Sequence, residues 1–363
     1  MAHPVKPAIV VGTRPEIIKM APLVRACRAR GVPHLLLHTG QHYSFEMDGV
    51  FFDELGLPAP DVNLEVGSGT QIYQLASTMS GMETVLAGHH PDVVLVEGDT
   101  NSVLAAALAA NRSGIAVGHV EAGLRSYDRG MPEELNRILT DHLADHLFPP
   151  TGKARSILLG EGIPDERILV TGNTVVDELL LQRERARRPG LLGRFGVAAG
   201  RFALATLHRA ENVDDPVRLR GCLHGLAAVA AALDLVVLAA LHPRTQARIA
   251  ALDPGLTAGL RVLPPLGYLD FLGLHAEAAL MLTDSGGLQE EACCLGVPCV
   301  TLRDNTERPE SVEAGANVLA GAEPDRIVIC AREMLPRRGG WSNPFGDGHA
   351  GERIVDHLLG ASA

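Results

Sequence analysis

The sequence predicts an α/β protein of two doubly wound parallel sheets, with its functional site in the cleft they share. Three observations carry this. Strand-length runs that are apolar throughout alternate with segments of helical spacing, the pattern of parallel strands covered on both faces. The pattern breaks once, near residues 173–200, and then restarts. Polar motifs follow the carboxyl ends of the runs in both halves, where open α/β sheets bind ligands.

In the first half, AIVVG (8–12) reads as a buried strand. EIIKMAPLVRACRARG then takes helical spacing, with Gly31 available to end the helix. HLLLHTG (34–40), DVVLVEGDT (92–100), AVGHVEAG (116–123), HLFPP (146–150) and ILVTGN (168–173) read as further strands. NSVLAAALAANRSG and ELNRILTDHLAD read as helices between them. After the charged stretch LLLQRERARRPGLLGRFG, the strand-then-loop form recurs. It is seen at FALATLHRAEN (202–212), LDLVVLAALHP (233–243), LRVLPPLGY (260–268), AALMLTDSGG (278–287) and CVTLRDNTERPE (299–310).

Composition bounds the function. The chain of 363 residues is 46% hydrophobic and 21% charged, enough for a sizeable core and unlike a disordered chain. The net charge of −11 disfavours nucleic acid and anionic membrane as partners, although a local arginine site can still hold a phosphate. The longest apolar stretch, LHGLAAVAAALDLVVLAAL, is interrupted by His224 and Asp234 and reads as a helix followed by a strand, not a membrane span. The six cysteines form no C-x-x-C pair and read as buried thiols of a reducing cytosol. No signal peptide pattern precedes the first strand, so a cytoplasmic location is expected.

The sharpest local signal is LTDSGGLQEEACCLG. A strand ends at Asp284, and Ser285, Gly286 and Gly287 open a helix whose amides suit a phosphate. Leu288, Glu291, Ala292 and Leu295 share one face, so Glu291 is expected half-buried with a partner such as a sugar hydroxyl. The alternative is an ordinary N-cap with acids in its first turns. GTRPE is neither a dinucleotide fingerprint nor a Walker loop; Arg14 is suited to phosphate or to a structural loop role, and Lys19 lies beyond it. Asp99, Glu121 and Glu133 follow strands or open a helix in the first half. They read either as acids converging for proton transfer or as caps and solvated loop residues. His208, after FALAT, is suited to a leaving phosphate or to a proton. His242, His119 and His42 are similarly placed, and no spacing demands a metal.

Together these motifs resemble the non-hydrolysing UDP-N-acetylglucosamine 2-epimerases. The resemblance rests on GTRPEIIKMAPL, TGQHY, GDT, HVEAGLRS, PEELNR, TGNTVVD, HRAEN, DSGGLQEEA and LRDNTERPE, in order over nearly the whole chain. It implies two Rossmann-like domains of the GT-B type. They would comprise residues 1–172 with the catalytic acids and 173–347 for UDP, with residues 348–363 returning to the first. It implies Asp99, Glu121, Glu133 and His208 as the catalytic set, Glu133 being preferred to Glu134 on this ground only. Arg14, Lys19, His242, Ser285, Gly286, Gly287 and Glu291 are implied to hold the UDP-sugar, Glu291 at the ribose.

The implied reaction inverts C2 of UDP-GlcNAc by loss and re-addition of UDP through a 2-acetamidoglucal. It needs no redox cofactor or metal, and the resemblance favours a homodimer. Four alternatives stay open: an epimerase of UDP-2,3-diacetamido-uronic acid sugars, a hydrolysing epimerase, a GT-B glycosyltransferase, and a nucleotide-sugar binding protein. Relatives activated by their own substrate use amide and basic residues after GQH. Here Ser44 stands in for one amide and VGSGTQ has no arginine, so weak activation is expected.

Overall fold

The computed structural model describes residues 5–40 and 51–360. Gln41, His42 and Ser44 lie outside the described residues, and with them the expectation about activation. The chain divides into two compact units, Met1–Glu178 with Phe345–Ala363, and Leu179–Pro344.

The first unit holds six parallel strands: β1 (Pro7–Val11), β2 (Leu35–His38), β3 (Val62–Asn63), β4 (Val93–Glu97), β5 (Ala116–Val120) and β6 (His146–Phe148). Their order is β3-β2-β1-β4-β5-β6, so the chain winds outward in opposite directions from β1 and β4. This makes the carboxyl ends of β1 and β4 a topological switch point, where a crevice opens beyond the sheet. Alternation along each strand serves two cores. Ala8, Val10, Val94 and Val96 pack with Met82, Leu86, Val103 and Ala106 of the helices Gln71–His89 and Asn101–Arg112. The opposite face meets the helix Arg14–Ala29, which buries Ile17, Met20 and Leu23.

The chain returns to this unit at its end. The helix Ala350–Leu358 lies against Arg14–Ala29, with Asp356 accepting two hydrogen bonds from Arg30 at 2.6 and 2.9 Å. Asp177 caps its start by accepting from the amides of Ala350 (3.2 Å) and Gly351 (2.8 Å). Gly351 is a true close approach: a Cβ there would stand 2.7 Å from Pro22 Cβ and 2.9 Å from the Pro22 carbonyl carbon. Gly351→Ala is therefore expected to destabilise the protein by about 1–3 kcal/mol through forced separation of the two helices. Urea unfolding measures this, and an unchanged midpoint at unchanged slope would show that the contact yields freely.

The second unit repeats the plan with β7 (Phe202–Thr206), β8 (Val236–Ala239), β9 (Arg261–Val262), β10 (Leu280–Thr283), β11 (Cys299–Thr301) and β12 (Asn317–Leu319). The order β12-β11-β10-β7-β8-β9 puts its switch point between β7 and β10. Phe202 and Leu204 fill one core, Ala203 and Ala205 the other. The run 223–241 is the helix Pro216–Leu233 joined to β8 by Asp234 in the left-handed region (φ 52°), which Asp tolerates better than most residues. Among the described residues no helix is long and apolar enough to cross a membrane. All six cysteines are free thiols, five of them buried, and burial pushes the Cys222 thiol up to about 12.

Two differences from the sequence reading stand out. ILVTGN is not a strand of the sheet; it makes a single bridge, Leu147 to Ile168. The edge strands β3 and β12, two and three residues long, are too short to show a period of two.

Candidate active site

At the switch point of the first unit, Thr13 precedes the helix Arg14–Ala29. Glu16 turns back to accept from the amides of Gly12 (2.5 Å) and Thr13 (3.2 Å) and from the Thr100 hydroxyl (2.7 Å). Burial raises the Glu16 carboxyl to about 7, against the pull of those donors. Arg14 begins the helix half-buried, its guanidinium 4.9 Å above the Phe51 ring.

Lys19, expected beside phosphate, points instead into the unit. It is 9% exposed, and its Nζ donates to Glu97 Oε1 at 2.8 Å and to Glu121 Oε2. Glu97 ends β4 and Glu121 follows β5. Both carboxyl groups are buried. Glu121 has φ 67°, a left-handed conformation that costs a side-chain-bearing residue about 1–3 kcal/mol and collects at functional sites. Its amide donates to the Phe148 carbonyl at 3.1 Å, so the strand neighbour fixes the turn. Glu97 was not singled out in the sequence. Its one signal there is a carboxylate closing an otherwise apolar strand.

Asp99 belongs to a second cluster. It pairs with Arg137, which also binds Glu134 (2.7 Å), and Asn136 donates to the Asp99 carbonyl at 2.9 Å. The helix Pro132–Leu143 carries these partners, and Glu133 sits half-buried in its first turn. Glu134 is buried and accepts from the amides of Ser126 (2.9 Å) and Tyr127 (2.8 Å) and from the Ser126 hydroxyl (3.1 Å). Burial opposes its charge, but these donors and Arg137 hold its carboxyl below the usual range. The neighbouring acids thus differ in work. Glu134→Ala should cost about 3 kcal/mol by orphaning buried donors and Arg137, whereas Glu133→Ala should stay within about 1 kcal/mol. Equal losses in urea unfolding would contradict this division.

His119 lies on the other face of β5. Its Nε2 donates to the Gly98 carbonyl (2.9 Å) and its Nδ1 meets Asp141 Oδ1 (2.7 Å). Arg125 braces the same Asp141 at 2.7 Å and Glu161 at 2.6 Å. Burial disfavours the Asp141 anion, yet His119 and Arg125 hold its carboxyl below the usual range. This network fixes the β4 and β5 exits from which Asp99 and Glu121 emerge.

At the switch point of the second unit, Asp284 ends β10 fully buried. It accepts from the amides of His208 (3.0 Å) and Arg209 (2.9 Å) and from Asn212 Nδ2 (3.3 Å), and it meets His208 Nδ1 at 3.0 Å. Against burial, His208 and the amides hold its carboxyl below the usual range. An ionised Asp284 favours the tautomer with the His208 proton on Nδ1, on a side chain that is 43% exposed.

Ser285 precedes the helix Gly286–Leu295 and makes no side-chain cap to it. The two glycines differ. A Cβ on Gly286 would stand 2.6 Å from Glu307 Oε1, whereas a Cβ on Gly287 would meet open space. The first permits packing of Glu307 and the second leaves the helix start approachable. His242, exposed, caps the helix Pro243–Leu252 by accepting from the Arg244 amide at 3.2 Å through Nδ1.

Glu291 is half-buried, 3.7 Å from His275 Nδ1. The fully buried acid of the helix is Glu290, paired with Arg308 at 2.8 Å. Apolar spacing placed Glu291 inward, but Arg308, on the loop after β11, approaches the adjacent face. Fully buried Arg303 ties that loop together, donating to Glu211 (3.0 Å), Glu307 (2.8 Å) and Asn305 (2.9 Å). RDNTERPE is thus a brace for the His208–Asn212 segment, a role its sequence did not reveal.

Comparison with known proteins bears on the family and the fold. The UDP-N-acetylglucosamine 2-epimerase family model matches residues 25–359. The UDP-N-acetylglucosamine 2-epimerase of Methanocaldococcus jannaschii is 48% identical over 357 residues, covering 96% of this chain and 98% of that one. The UDP-2,3-diacetamido-2,3-dideoxy-D-glucuronate 2-epimerase of Pseudomonas aeruginosa is 42% identical, covering 96% and 98%. The crystal structure of the M. jannaschii UDP-GlcNAc 2-epimerase, in complex with UDP-GlcNAc and UDP, superposes with a TM-score of 0.92 at 47% identity, covering 98% of this chain and 99% of that one.

Proposed function

The chain belongs to the UDP-N-acetylglucosamine 2-epimerase family, and from that premise we propose that it interconverts UDP-GlcNAc and UDP-ManNAc. The observation that carries this is the buried Lys19–Glu97–Glu121 cluster at one switch point, in a chain 48% identical to a UDP-GlcNAc 2-epimerase. The C2 hydrogen of the sugar is not beside a carbonyl, so its direct removal is costly. Departure of UDP from C1 gives oxocarbenium character and acidifies C2–H. A carboxylate takes that proton, C1 and C2 become doubly bonded in the 2-acetamidoglucal, and UDP adds back after protonation of the opposite face.

The second unit is assigned the UDP. The amides of Ser285, Gly286 and Gly287 suit the diphosphate, Glu291 the ribose, and His208, oriented by Asp284, the leaving phosphate. His242 and Arg14 are assigned further binding contacts. The first unit is assigned the proton chemistry, shared among Asp99, Glu121 and Glu133. Lys19 is read as serving Glu121 rather than phosphate. The reading extends to a cytoplasmic homodimer in polysaccharide biosynthesis, an extension supported by the family resemblance alone. A second reading, epimerisation of a UDP-2,3-diacetamido-uronic acid sugar, is favoured by the 42% identity to the P. aeruginosa enzyme.

Chromatography of the two nucleotide sugars after incubation from either side tests the substrate. The same equilibrium mixture of UDP-GlcNAc and UDP-ManNAc is expected. Conversion of the diacetamido-uronic acid sugar alone would select the second reading.

A further inference from the structure

Resting on the epimerase reading, we propose that Glu97 is a positioning residue: its carboxyl group donates a hydrogen bond to Glu121 and, with Lys19, fixes the orientation and charge of that carboxylate. Three observations carry this. Glu97 is 2% exposed at the end of a strand whose other four residues are buried apolar side chains, so it has no solvation role. Lys19 Nζ reaches both Glu97, at 2.8 Å, and Glu121. One buried ammonium thus faces two buried carboxyl groups, an excess of negative charge that a proton on one of them removes.

Charge decides where the proton belongs. One ammonium beside one carboxylate and one carboxylic acid is neutral. Two carboxylates would leave a net negative charge among three side chains that water hardly reaches. Burial pushes the Glu97 carboxyl well above the usual range, and the Glu121 charge adds to this against the pull of Lys19. The shared proton is assigned to Glu97, which lies within its strand, and the base to Glu121, which turns out beyond the end of β5.

The surrounding ionisable groups have other partners. Glu16, one turn before Lys19, binds the Gly12 and Thr13 amides and Thr100. His119 shares the opposite sheet face with Val96 and binds Asp141, and Asp99 pairs with Arg137. In the reaction, the C2–H bond breaks as its proton moves to Glu121. Its electron pair forms the C1–C2 double bond, and UDP leaves with the C1–O pair. Glu97 keeps its proton throughout.

The test is the pH dependence of C2 deuterium exchange and of kcat and KM for the wild type, Glu97→Leu and Glu97→Gln. Glu97→Leu is expected to lower kcat by about 10²-fold through a misplaced base, with KM little changed. Glu97→Gln, which still offers an N–H to Glu121 and an oxygen to Lys19, is expected to recover much of that loss. The wild type should lose rate on an alkaline limb as Glu97 ionises, and Glu97→Gln should lack that limb. Superimposable wild-type and Glu97→Gln profiles would overturn the proposal, whether or not Glu97→Leu folds. Absence of exchange in the wild type would instead overturn the epimerase reading on which the proposal rests.

Discussion

Glu121→Gln is expected to slow deuterium exchange at C2 by about 10²–10⁴-fold, the usual contribution of a positioned acid or base, and to leave the unfolding midpoint nearly unchanged. The amide is isosteric and keeps an oxygen for Lys19, so the buried ammonium retains two partners. The Glu121 amide bond to Phe148, which holds the left-handed turn, is untouched. What the substitution removes is the capacity to take a proton. Full exchange with Glu121→Gln would strike this residue from the catalytic set. A large fall in stability would show instead that the carboxylate is structural.

The second large effect is expected at Asp284. Asp284→Ala removes the acceptor of two backbone amides, Asn212 and the His208 ring, all gathered at a fully buried point. Breaking a buried charged network costs about 3–5 kcal/mol, and turnover should fall with it as His208 loses its fixed tautomer. The acid limb gives the sign. The Asp284 carboxyl is held below its ordinary value in the folded protein, so its stabilisation is complete above the unfolded carboxylate pKa of about 3.9. It is lost as pH falls through the folded value. Asp284→Ala should therefore flatten the loss of stability on acidification. A variant with wild-type stability at neutral pH and an unchanged acid limb would contradict the assignment.

Much of this architecture is legible in the chain because buried parallel strands leave continuous apolar runs, and ten of the twelve strands among the described residues are such runs or their cores. What the sequence does not carry is the lateral order of the strands. Two reversals, at β1/β4 and β7/β10, bring Lys19 to Glu97 and His208 to Asp284 across 78 and 76 residues. Motif reading singles out Asp99, Glu121, His208 and the Ser285–Gly287 turn because each closes an apolar run with polar chemistry. It passed over Glu97, because a charge at a strand end looks like the strand meeting water. It favoured Glu291 over Glu290 because helix periodicity sees one helix, while the burial of Glu290 depends on Arg308 from a separate loop. The pairing of Arg137 with Asp99 is hidden for the same reason: the two are 38 residues apart.

Inversion of C2 through proton exchange, with UDP kept in play, is read in one experiment: incubation with UDP-GlcNAc in deuterated water followed by proton NMR. UDP-ManNAc, deuterium at C2 of both sugars, and no accumulation of free UDP are expected. Free UDP with free ManNAc would contradict it in favour of a hydrolysing epimerase. Intact UDP-GlcNAc that keeps its C2 proton would contradict it in favour of a transferase, a binding protein or a different sugar.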